Sequence, residues 1–233
     1  MKLALIGHGA MNRMVDILAR QNGHEVSLVL TSSDGSRSIE ELSARLAGHD
    51  AAIDFSIAAA VLKNAEACAE AEVPLVEGTT GWKDQDRARR IFDEKHGALV
   101  YGANFSIGVN IFYRMVTYAA ELLQTTKGYE PFIEEAHHSR KKDAPSGTAL
   151  RLRDLVAERF GAGELSVAST RAGHIPGTHR VGFDGPADQI VLSHEARSRE
   201  GFAAGALMAA GWIVGRQGVY EFSQVMDDIL KKG

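Results

Sequence analysis

Glu134 to Ala149 reads EEAHHSRKKDAPSGTA and is the most informative stretch of this 233-residue chain. It places two adjacent histidines and three consecutive cations before a Pro-Ser-Gly-Thr turn. The apolar run Pro131–Ile133 precedes the stretch like a buried strand, and apolar residues recur at helical spacing from Leu152 to Phe160. The pattern therefore predicts a polar crossing from a strand to a helix.

This crossing has the chemistry of an anion site. The free backbone N–H groups in the first turn of the helix, near Ser146, Gly147 and Thr148, can hold a carboxylate. Lys141 and a histidine upstream could face the same anion, and histidine is the side chain whose usual pKa lies nearest neutrality. We predict a pocket for a small acidic molecule with a proton donor beside it. A solvated surface loop is the alternative for this stretch taken alone.

The start of the chain favours a ligand-binding site over a solvated surface loop. Lys2–Ile6 reads as a strand, Gly7–Asn12 as the glycine turn GHGAMN, and the residues from Met14 to Leu18 as a helix. A strand, a glycine turn and a helix in this order form a dinucleotide-binding fingerprint. Asn12 occupies the position of the third glycine, so we interpret it as a substitution that weakens the fingerprint. We therefore expect Asn12→Gly to leave cofactor affinity unchanged or to improve it.

Further predicted strands end in small polar residues after Phe55, Val76 and Tyr101. Open α/β sheets bind ligands at the carboxyl ends of their strands, so these ends outline a cofactor cleft. After the second strand, His24–Leu30, the chain has Thr31-Ser32-Ser33 rather than an acidic residue, with Asp34 and Arg37 nearby. Hydroxyls and a cation suit the 2′-phosphate of NADPH slightly better than the bare ribose of NADH, whereas ordinary turn chemistry is the alternative.

The second half of the chain has a different pattern. A long amphipathic helix, Ile107–Gln124, precedes four strand-like runs that have one helix among them, which indicates a mixed or antiparallel sheet. The strand-like runs are Glu130–Glu135, Leu165–Ser169, His179–Phe183 and Gln189–Glu195, and the last predicted helices are Phe202–Val214 and Phe222–Leu230. We predict an α/β protein with a Rossmann-type lobe of residues 1–106, to which 209–233 return, and an α+β mixed-sheet lobe of residues 107–208.

Composition argues against several classes of protein. A net charge of −4 disfavours a nucleic-acid partner. The single cysteine, Cys68, leaves no internal disulfide and no Cys-based zinc cluster, which fits a reducing compartment. No apolar run reaches the roughly 18 residues of a membrane helix, and no signal peptide precedes the first strand. We expect a cytoplasmic protein that binds neither nucleic acid, nor membrane, nor metal.

Four segments together resemble one enzyme family. EAHHSRKKDAPSGTA, the N-terminal GHGAMN, the EGTTG loop and ANFSIGVN are similar to 4-hydroxy-tetrahydrodipicolinate reductase, also called dihydrodipicolinate reductase, of bacterial lysine and diaminopimelate synthesis. The resemblance covers essentially the whole chain in the right order. It implies reduction of a small cyclic dicarboxylate by NADPH or NADH, and a substrate lobe that also builds a homotetramer.

The resemblance also assigns residues. His137 and Lys141 match the family's proton donors or acceptors, and His138 matches a substrate-contacting histidine. Gly147 and Thr148 match the backbone cradle for a substrate carboxylate, and Ser146, in the same turn, is also predicted to bind substrate. The predicted cofactor contacts are Gly7, His8, Gly9, Ala10, Met11, Asn12, Thr31, Ser32, Ser33, Phe55, Gly78, Thr79, Thr80, Gly102, Ala103, Asn104 and Phe105. Arg140 and Lys142 flank Lys141 and, on a strand, would point to the opposite face as surface charges.

Two other functions remain open at this point. Another nicotinamide-dependent reductase of like architecture, such as a homoserine or amino-acid dehydrogenase, explains the first lobe equally well but gives no reason for the motif around His137. A regulator that senses NAD(P)H without chemistry is the second alternative. Such a descendant would be expected to lose His137 or Lys141, and both are present.

Overall fold

The computed structural model describes residues 1–126, 128–161 and 165–231. The strands are β1 (Lys2–Ile6), β2 (Glu25–Leu30), β3 (Ala51–Asp54), β4 (Leu75–Glu77), β5 (Ala98–Tyr101), β6 (Glu130–His137), β7 (Val167–Arg171), β8 (Thr178–Asp184), β9 (Gln189–Glu195) and β10 (Gly218–Glu221). The helices are α1 (Ala10–Gln21), α2 (Ile39–Leu46), α3 (Val61–Glu70), α4 (Gln85–Glu94), α5 (Ile107–Leu123), α6 (Gly147–Phe160), α7 (Glu200–Ile213) and α8 (Phe222–Lys231), with a 3₁₀ turn at Ser32–Asp34. The chain divides into two compact units, Met1–Ile107 with Arg199–Gly233, and Gly108–Ser198.

The first unit is a parallel sheet with helices on both faces. Its strand order is β10-β5-β4-β3-β1-β2, and every pair is parallel. One hydrophobic cluster joins the sheet to α1, α7 and α8, and the other joins it to α2, α3 and α4. The direction of strand addition reverses at β1, and sheets of this kind bind ligands outside the strand ends at such a point. The Rossmann-type lobe predicted from the sequence is therefore present.

The return to the first unit begins earlier than the predicted residue 209. The whole of α7 belongs to this unit, and its small residues Ala203, Ala206 and Ala210 are fully buried in the cluster that also contains α1. Their small side chains allow the helix to lie close to its neighbours. The strand β10 and the helix α2 were not predicted. β10 has only four residues, GVYE, and is recognisable through its pairing with β5.

The second unit contains the mixed sheet that the sequence predicts. Its order is β7-β6-β8-β9, with β6 parallel to β7 and the other neighbours antiparallel. Apolar residues of α5 and α6, such as Val116 and Leu152, pack with Ile133 and Val181 of the sheet. Alternate side chains point to the other face, where Val191 is 45% exposed. No helix in the described part of the chain has the length and apolar character to cross a membrane.

Candidate active site

The carboxyl end of β6 carries a buried carboxylate–histidine pair. Ile133, Glu135 and His137 alternate along the strand and share the face that α5 and α6 cover. His137 Nδ1 is hydrogen-bonded to Glu135 Oε2, and both residues are buried. Arg171, at the end of β7, donates to the other oxygen of Glu135 at 2.7 Å. A guanidinium, a carboxylate and an imidazole therefore form one chain of contacts.

The charges of this pair follow from its surroundings. Burial raises the pKa of Glu135, but hydrogen bonds from Arg171, Ser169 and His137 outweigh it, and the net pKa is lowered. Burial is the largest influence on His137 and, with the charges of Lys141 and Arg171, lowers its pKa although Glu135 opposes the change. The pair is therefore a carboxylate that accepts a hydrogen bond from a neutral imidazole. With its proton on Nδ1, the ring presents Nε2 as the nitrogen that can take or return a proton.

Lys141 lies in a turn rather than on a strand. β6 ends at His137, and the Lys141 N–H donates to the carbonyl of His138 at 3.1 Å. The Lys141 side chain is half-buried, lies 2.8 Å from Asp143 Oδ1, and lowers the pKa of His137 by its charge. Arg140 and Lys142 are exposed. They are surface charges as predicted, but the strand alternation used to predict this is wrong.

Arg171 also binds the turn that carries Lys141. Its guanidinium donates to the backbone carbonyl of Asp143 as well as to Glu135. It thereby ties the segment that carries Lys141 to the strand that carries His137. Neither Glu135 nor Arg171 was assigned a role from the sequence. Arg171 is separated from Glu135 by 36 residues, and only the parallel pairing of β6 with β7 brings them together.

The helix predicted after the polar turn is present as α6, which begins at Gly147. Ser146 is the N-cap residue, and its buried side chain accepts from the Ala149 N–H at 3.3 Å. Its hydroxyl also lies 3.2 Å from His179 Nε2. The Ser146 hydroxyl is therefore engaged within the protein, and the predicted contact of Ser146 with substrate stays a prediction for its backbone. Gly147 is exposed, with open space where a Cβ would stand, and the Thr148 hydroxyl is hydrogen-bonded to Tyr113.

His179 is a second histidine of the site that the sequence analysis missed. Its ring centroid lies 5.1 Å from that of His137, edge to face. Burial and the neighbouring His137 lower its pKa to about 4, so it is neutral at physiological pH. The predicted substrate ligand His138 is half-buried, and its Nδ1 has no hydrogen-bond partner among the described residues.

Glu135, His137 and His179 also place their ligand atoms within 4.8 Å of one another, as a metal site would. Arg171 already neutralises the Glu135 carboxylate, and its positive charge disfavours a second cation there. This geometry favours a hydrogen-bonded network over a metal centre.

The glycine turn of the first unit fits a dinucleotide. Gly7 has φ of +93°, and a Cβ there would lie 2.8 Å from the Phe55 carbonyl oxygen, so only glycine is accommodated. Gly9 is the N-cap residue of α1, has open space around its Cα, and no side chain caps the helix. His8, Gly9 and Ala10 are exposed, whereas Met11 packs partly into the core. Uncapped N–H groups at an accessible helix N-terminus suit a pyrophosphate.

The structure gives the Asn12 side chain a local structural role. Its side chain is fully buried, and Nδ2 donates to the carbonyls of Ile6 at 2.7 Å and Gly7 at 2.9 Å. The amide therefore fixes the glycine turn against β1 and does not reach a ligand. These two bonds argue against the interpretation of Asn12 as a weakening substitution, because a glycine would leave the two backbone carbonyls without them.

The segment after β2 is organised by Asp34. Its carboxylate accepts from the Thr31 N–H at 2.9 Å and from Arg37 Nε at 2.8 Å, and forms an ion pair with Arg45. These bonds, with that of Thr31 the largest contribution, lower the pKa of Asp34 to about 2. Thr31, Ser32 and Ser33 remain exposed around it.

In the loops after β3, β4 and β5, some of the predicted cofactor residues are buried and others are exposed. The Phe55 ring covers Gly78, where a Cβ would lie 2.2 Å from the ring, and it meets Phe105 edge to face. Phe105 and Thr79 are buried, so their side chains have structural roles, and their predicted contact with cofactor stays a prediction for the backbone. Thr80 and Ala103 are exposed, Gly102 is half-buried, and the side-chain oxygen of Asn104 accepts from the Ser106 N–H at 2.8 Å.

Comparison with known proteins decides the family. Residues 1–105 match the family model for the N-terminus of dihydrodipicolinate reductase, and residues 108–226 match the model for its C-terminus. The chain belongs to the dihydrodipicolinate reductase family. The relatives include the 4-hydroxy-tetrahydrodipicolinate reductase of Christiangramia forsetii, 32% identical over 99% of this chain and 100% of that protein. The enzyme of the same name from Archaeoglobus fulgidus is 40% identical over 78% of this chain and 76% of its own.

A solved dihydrodipicolinate reductase has the same fold. The dipicolinate-bound enzyme from Paenisporosarcina sp. TG-14 aligns with a TM-score of 0.79 and 18% identity, over 97% of this chain and 99% of that one. The family, the fold class and the reductase activity predicted from the sequence are therefore confirmed. Membership of the dihydrodipicolinate reductase family also makes a nicotinamide dinucleotide the cofactor.

Proposed function

We propose that this chain reduces 4-hydroxy-tetrahydrodipicolinate to tetrahydrodipicolinate, with the side chains at the end of β6 managing substrate charge and protons. The observation that carries this assignment is the buried Glu135–His137 pair beside Lys141, in a chain of this family. The relatives are named for this reaction, and the structural neighbour was solved with dipicolinate, a cyclic dicarboxylate of similar shape.

Substrate recognition rests on charge. One carboxylate fits the N-terminus of α6, where the N–H groups of the first turn near Gly147 and Thr148 favour an anion. Lys141 supplies a cation in the same unit. Its present partner is the exposed Asp143, and a substrate carboxylate would compete with that partner for the ammonium group.

Proton handling rests on the order of contacts Arg171–Glu135–His137. Glu135 fixes the tautomer of His137 and stabilises the ring when it becomes charged. Two substrate carboxylates near the ring would raise the pKa of His137, opposing the effect of burial. His137 and Lys141 are therefore the proton donors we assign to the step that accompanies hydride transfer, and Glu135 and Arg171 position them.

The bound nicotinamide cofactor supplies the hydride. On this chain, the glycine turn from Gly7 to Ala10, at the N-terminus of α1, would hold the pyrophosphate of the cofactor. The exposed residues Thr80 and Ala103 would contact other parts of the cofactor. Asn12 and Phe105 contribute by fixing the loops rather than by contact.

NADPH is the cofactor we expect this chain to favour, with NADH tolerated. Asp34 is committed to Thr31, Arg37 and Arg45, so no acidic group at the end of β2 is left to bind a ribose hydroxyl. Exposed hydroxyls and two arginines suit a 2′-phosphate. Comparison of kcat/KM for the two cofactors tests this, and Arg37→Ala should lower the value for NADPH more than that for NADH. A tenfold preference for NADH, about 1.4 kcal/mol, would overturn the assignment.

We also expect a homotetramer built through the second unit. β9 is an edge strand of the sheet, and Ile190 and Val191 on it are 40% and 45% exposed. An exposed apolar edge strand is a ready partner for another sheet.

The reductase assignment is tested by following absorbance of the reduced cofactor with freshly generated substrate. We expect turnover by the wild type and at least a hundredfold loss of kcat/KM in His137→Ala, within the range for loss of an acid catalyst. Cofactor binding without turnover on this substrate would contradict the proposal.

A further inference from the structure

Two acids that the proposed chemistry does not use end β3 and β4 side by side. Asp54 and Glu77 are register partners on these parallel strands, and their relative exposures are 0% and 1%. Two negative charges on neighbouring strands inside a protein are costly. The arrangement calls for a proton that the two carboxyl groups share.

Hydrogen bonds show which acid carries that proton. Asp54 accepts from the Ser56 N–H at 2.7 Å and from Asn64 Nδ2 at 2.8 Å, and the Thr79 hydroxyl lies 3.5 Å away. Glu77 accepts from the Thr79 N–H at 2.6 Å through Oε1, while its buried Oε2 has no hydrogen-bond partner in the described parts of the chain. Asp54 thus has the donors that a carboxylate needs, whereas Oε2 of Glu77 is placed as the hydroxyl of a neutral acid.

The titration of the pair agrees with its geometry. Burial raises the pKa of Glu77 well above its usual value, and the nearby Asp54 adds to the rise. Burial also raises the pKa of Asp54, but the bonds from Ser56 and Asn64 oppose this.

Two other titratable side chains lie near the pair. Burial raises the pKa of the Cys68 thiol on α3, with Asp54 and Glu77 adding to the rise. Tyr101, the register partner of Glu77 on β5, accepts a hydrogen bond from Arg89 on α4 at 2.7 Å.

We propose that Glu77 is a positioning residue for the cofactor, whose protonated carboxyl group links Asp54 to Thr79 and so fixes the loop Gly78–Thr80. Backbone bonds extend the same unit to the flanking loops, because the Gly78 N–H donates to the Asp54 carbonyl at 2.9 Å and the Gly102 N–H to the Glu77 carbonyl at 3.2 Å. The inference rests on the proposed cofactor role of these loops.

The test measures NADH affinity in Glu77 variants of the full chain by cofactor fluorescence. Glu77→Gln keeps an oxygen for the Thr79 N–H and replaces the acid proton with an amide donor toward Asp54. It should bind NADH within about twofold of the wild type. Glu77→Met has a similar length without polar atoms and should bind NADH about tenfold more weakly. Glu94→Met, at an exposed site on α4, is the matched control and should change nothing.

A pH series separates positioning from simple packing. NADH is used because it lacks the 2′-phosphate, which titrates near neutrality. Wild-type affinity should decline at alkaline pH as Glu77 loses its proton, because two buried charges would then repel and disturb the loop. Glu77→Gln has no such proton and should retain its affinity over the same range.

Equal damage in Glu77→Gln and Glu77→Met, or wild-type affinity in a folded Glu77→Met, would overturn the inference. Glu77→Asp, an acid one methylene shorter, is the second variant if Glu77→Met does not fold, and wild-type affinity in it has the same meaning. Gly9→Val tests the proposed cofactor site separately by placing a side chain at the N-terminus of α1. If it leaves NADH binding intact, the cofactor assignment fails. If it abolishes binding while folded Glu77 variants bind normally, only the positioning role fails.

Discussion

At the scale of single residues, a variant of Lys141 should impair the reaction without impairing cofactor binding. Lys141→Ala removes both a cation for the substrate and a proposed proton donor. We expect kcat/KM to fall by roughly a hundredfold or more, the low end for an acid catalyst. The cofactor Kd should hardly change, since every proposed cofactor contact lies in the first unit. Steady-state kinetics and a cofactor titration measure the two effects.

Arg140→Ala and Lys142→Ala are the matched controls for Lys141, because both side chains are exposed cations in the same turn. Each should stay within a few-fold of the wild type. If Arg140→Ala is as damaging as Lys141→Ala, the assignment of roles in this turn is wrong.

Asn12 is the residue whose role the structure reverses. Asn12→Gly removes one buried and one partly buried hydrogen bond, each worth about 0.5–1.5 kcal/mol, and loosens the glycine turn. We expect lower stability in urea unfolding and several-fold weaker cofactor binding. Asn22→Gly removes a similar bond to a helix carbonyl at an exposed site and should leave cofactor binding intact. Unchanged or improved cofactor affinity in Asn12→Gly would restore the interpretation made from the sequence.

His179 couples stability to pH. Its pKa of about 4 in the folded chain lies below its usual 6.5, so the unfolded chain binds the proton first as the pH falls. Its contribution is present above pH 6.5 and is lost progressively toward pH 4, by up to about 3 kcal/mol. The free energy of unfolding should therefore fall less between pH 7 and pH 4 in His179→Gln than in the wild type. His174→Gln, at an exposed site, is the control, and equal falls in wild type and His179→Gln would contradict this.

At the scale of elements, the N-terminus of α6 should act on binding rather than on chemistry. Thr148→Val removes a hydroxyl bonded to Tyr113 and disturbs the first turn that we propose to hold the substrate carboxylate. We expect KM for the substrate to rise several-fold with kcat little changed. Thr125→Val, an exposed threonine beyond α5, is the control. A fall in kcat at constant KM would assign this helix end a role in the chemical step.

Elements also show why part of the site escaped prediction. The order strand, polar turn, helix around Lys141 follows from apolar spacing and helix-start residues that lie close together in the chain. Arg171 and His179 lie on β7 and β8, and their relation to His137 depends on the pairing of those strands with β6. No local pattern contains that pairing, so no signal in the single sequence could have selected them.

At the scale of the whole molecule, self-association should depend on the edge of the second sheet. Val191→Glu places a charge on the exposed apolar part of β9. We expect the wild type to elute with about four times the 25.1 kDa mass of one chain, and the variant to elute with a smaller mass. Light scattering after size exclusion measures both. Ile17→Glu, on an exposed site of α1, is the matched control, and an unchanged mass for Val191→Glu would place the interface elsewhere.

The sequence by itself determined the family, the two kinds of sheet and the positions of His137, Lys141 and the glycine turn, because these depend on periodicity and on motifs contiguous in the chain. Tertiary structure alone decided which neighbours each of these residues contacts. In the tertiary structure the Asn12 side chain bonds the glycine turn to β1, Thr79 and Phe105 are buried, and Arg171 and His179 lie beside the Glu135–His137 pair. The physical reason is burial: hydrogen-bond partners, exposure and pKa depend on neighbours that only the paired strands bring together.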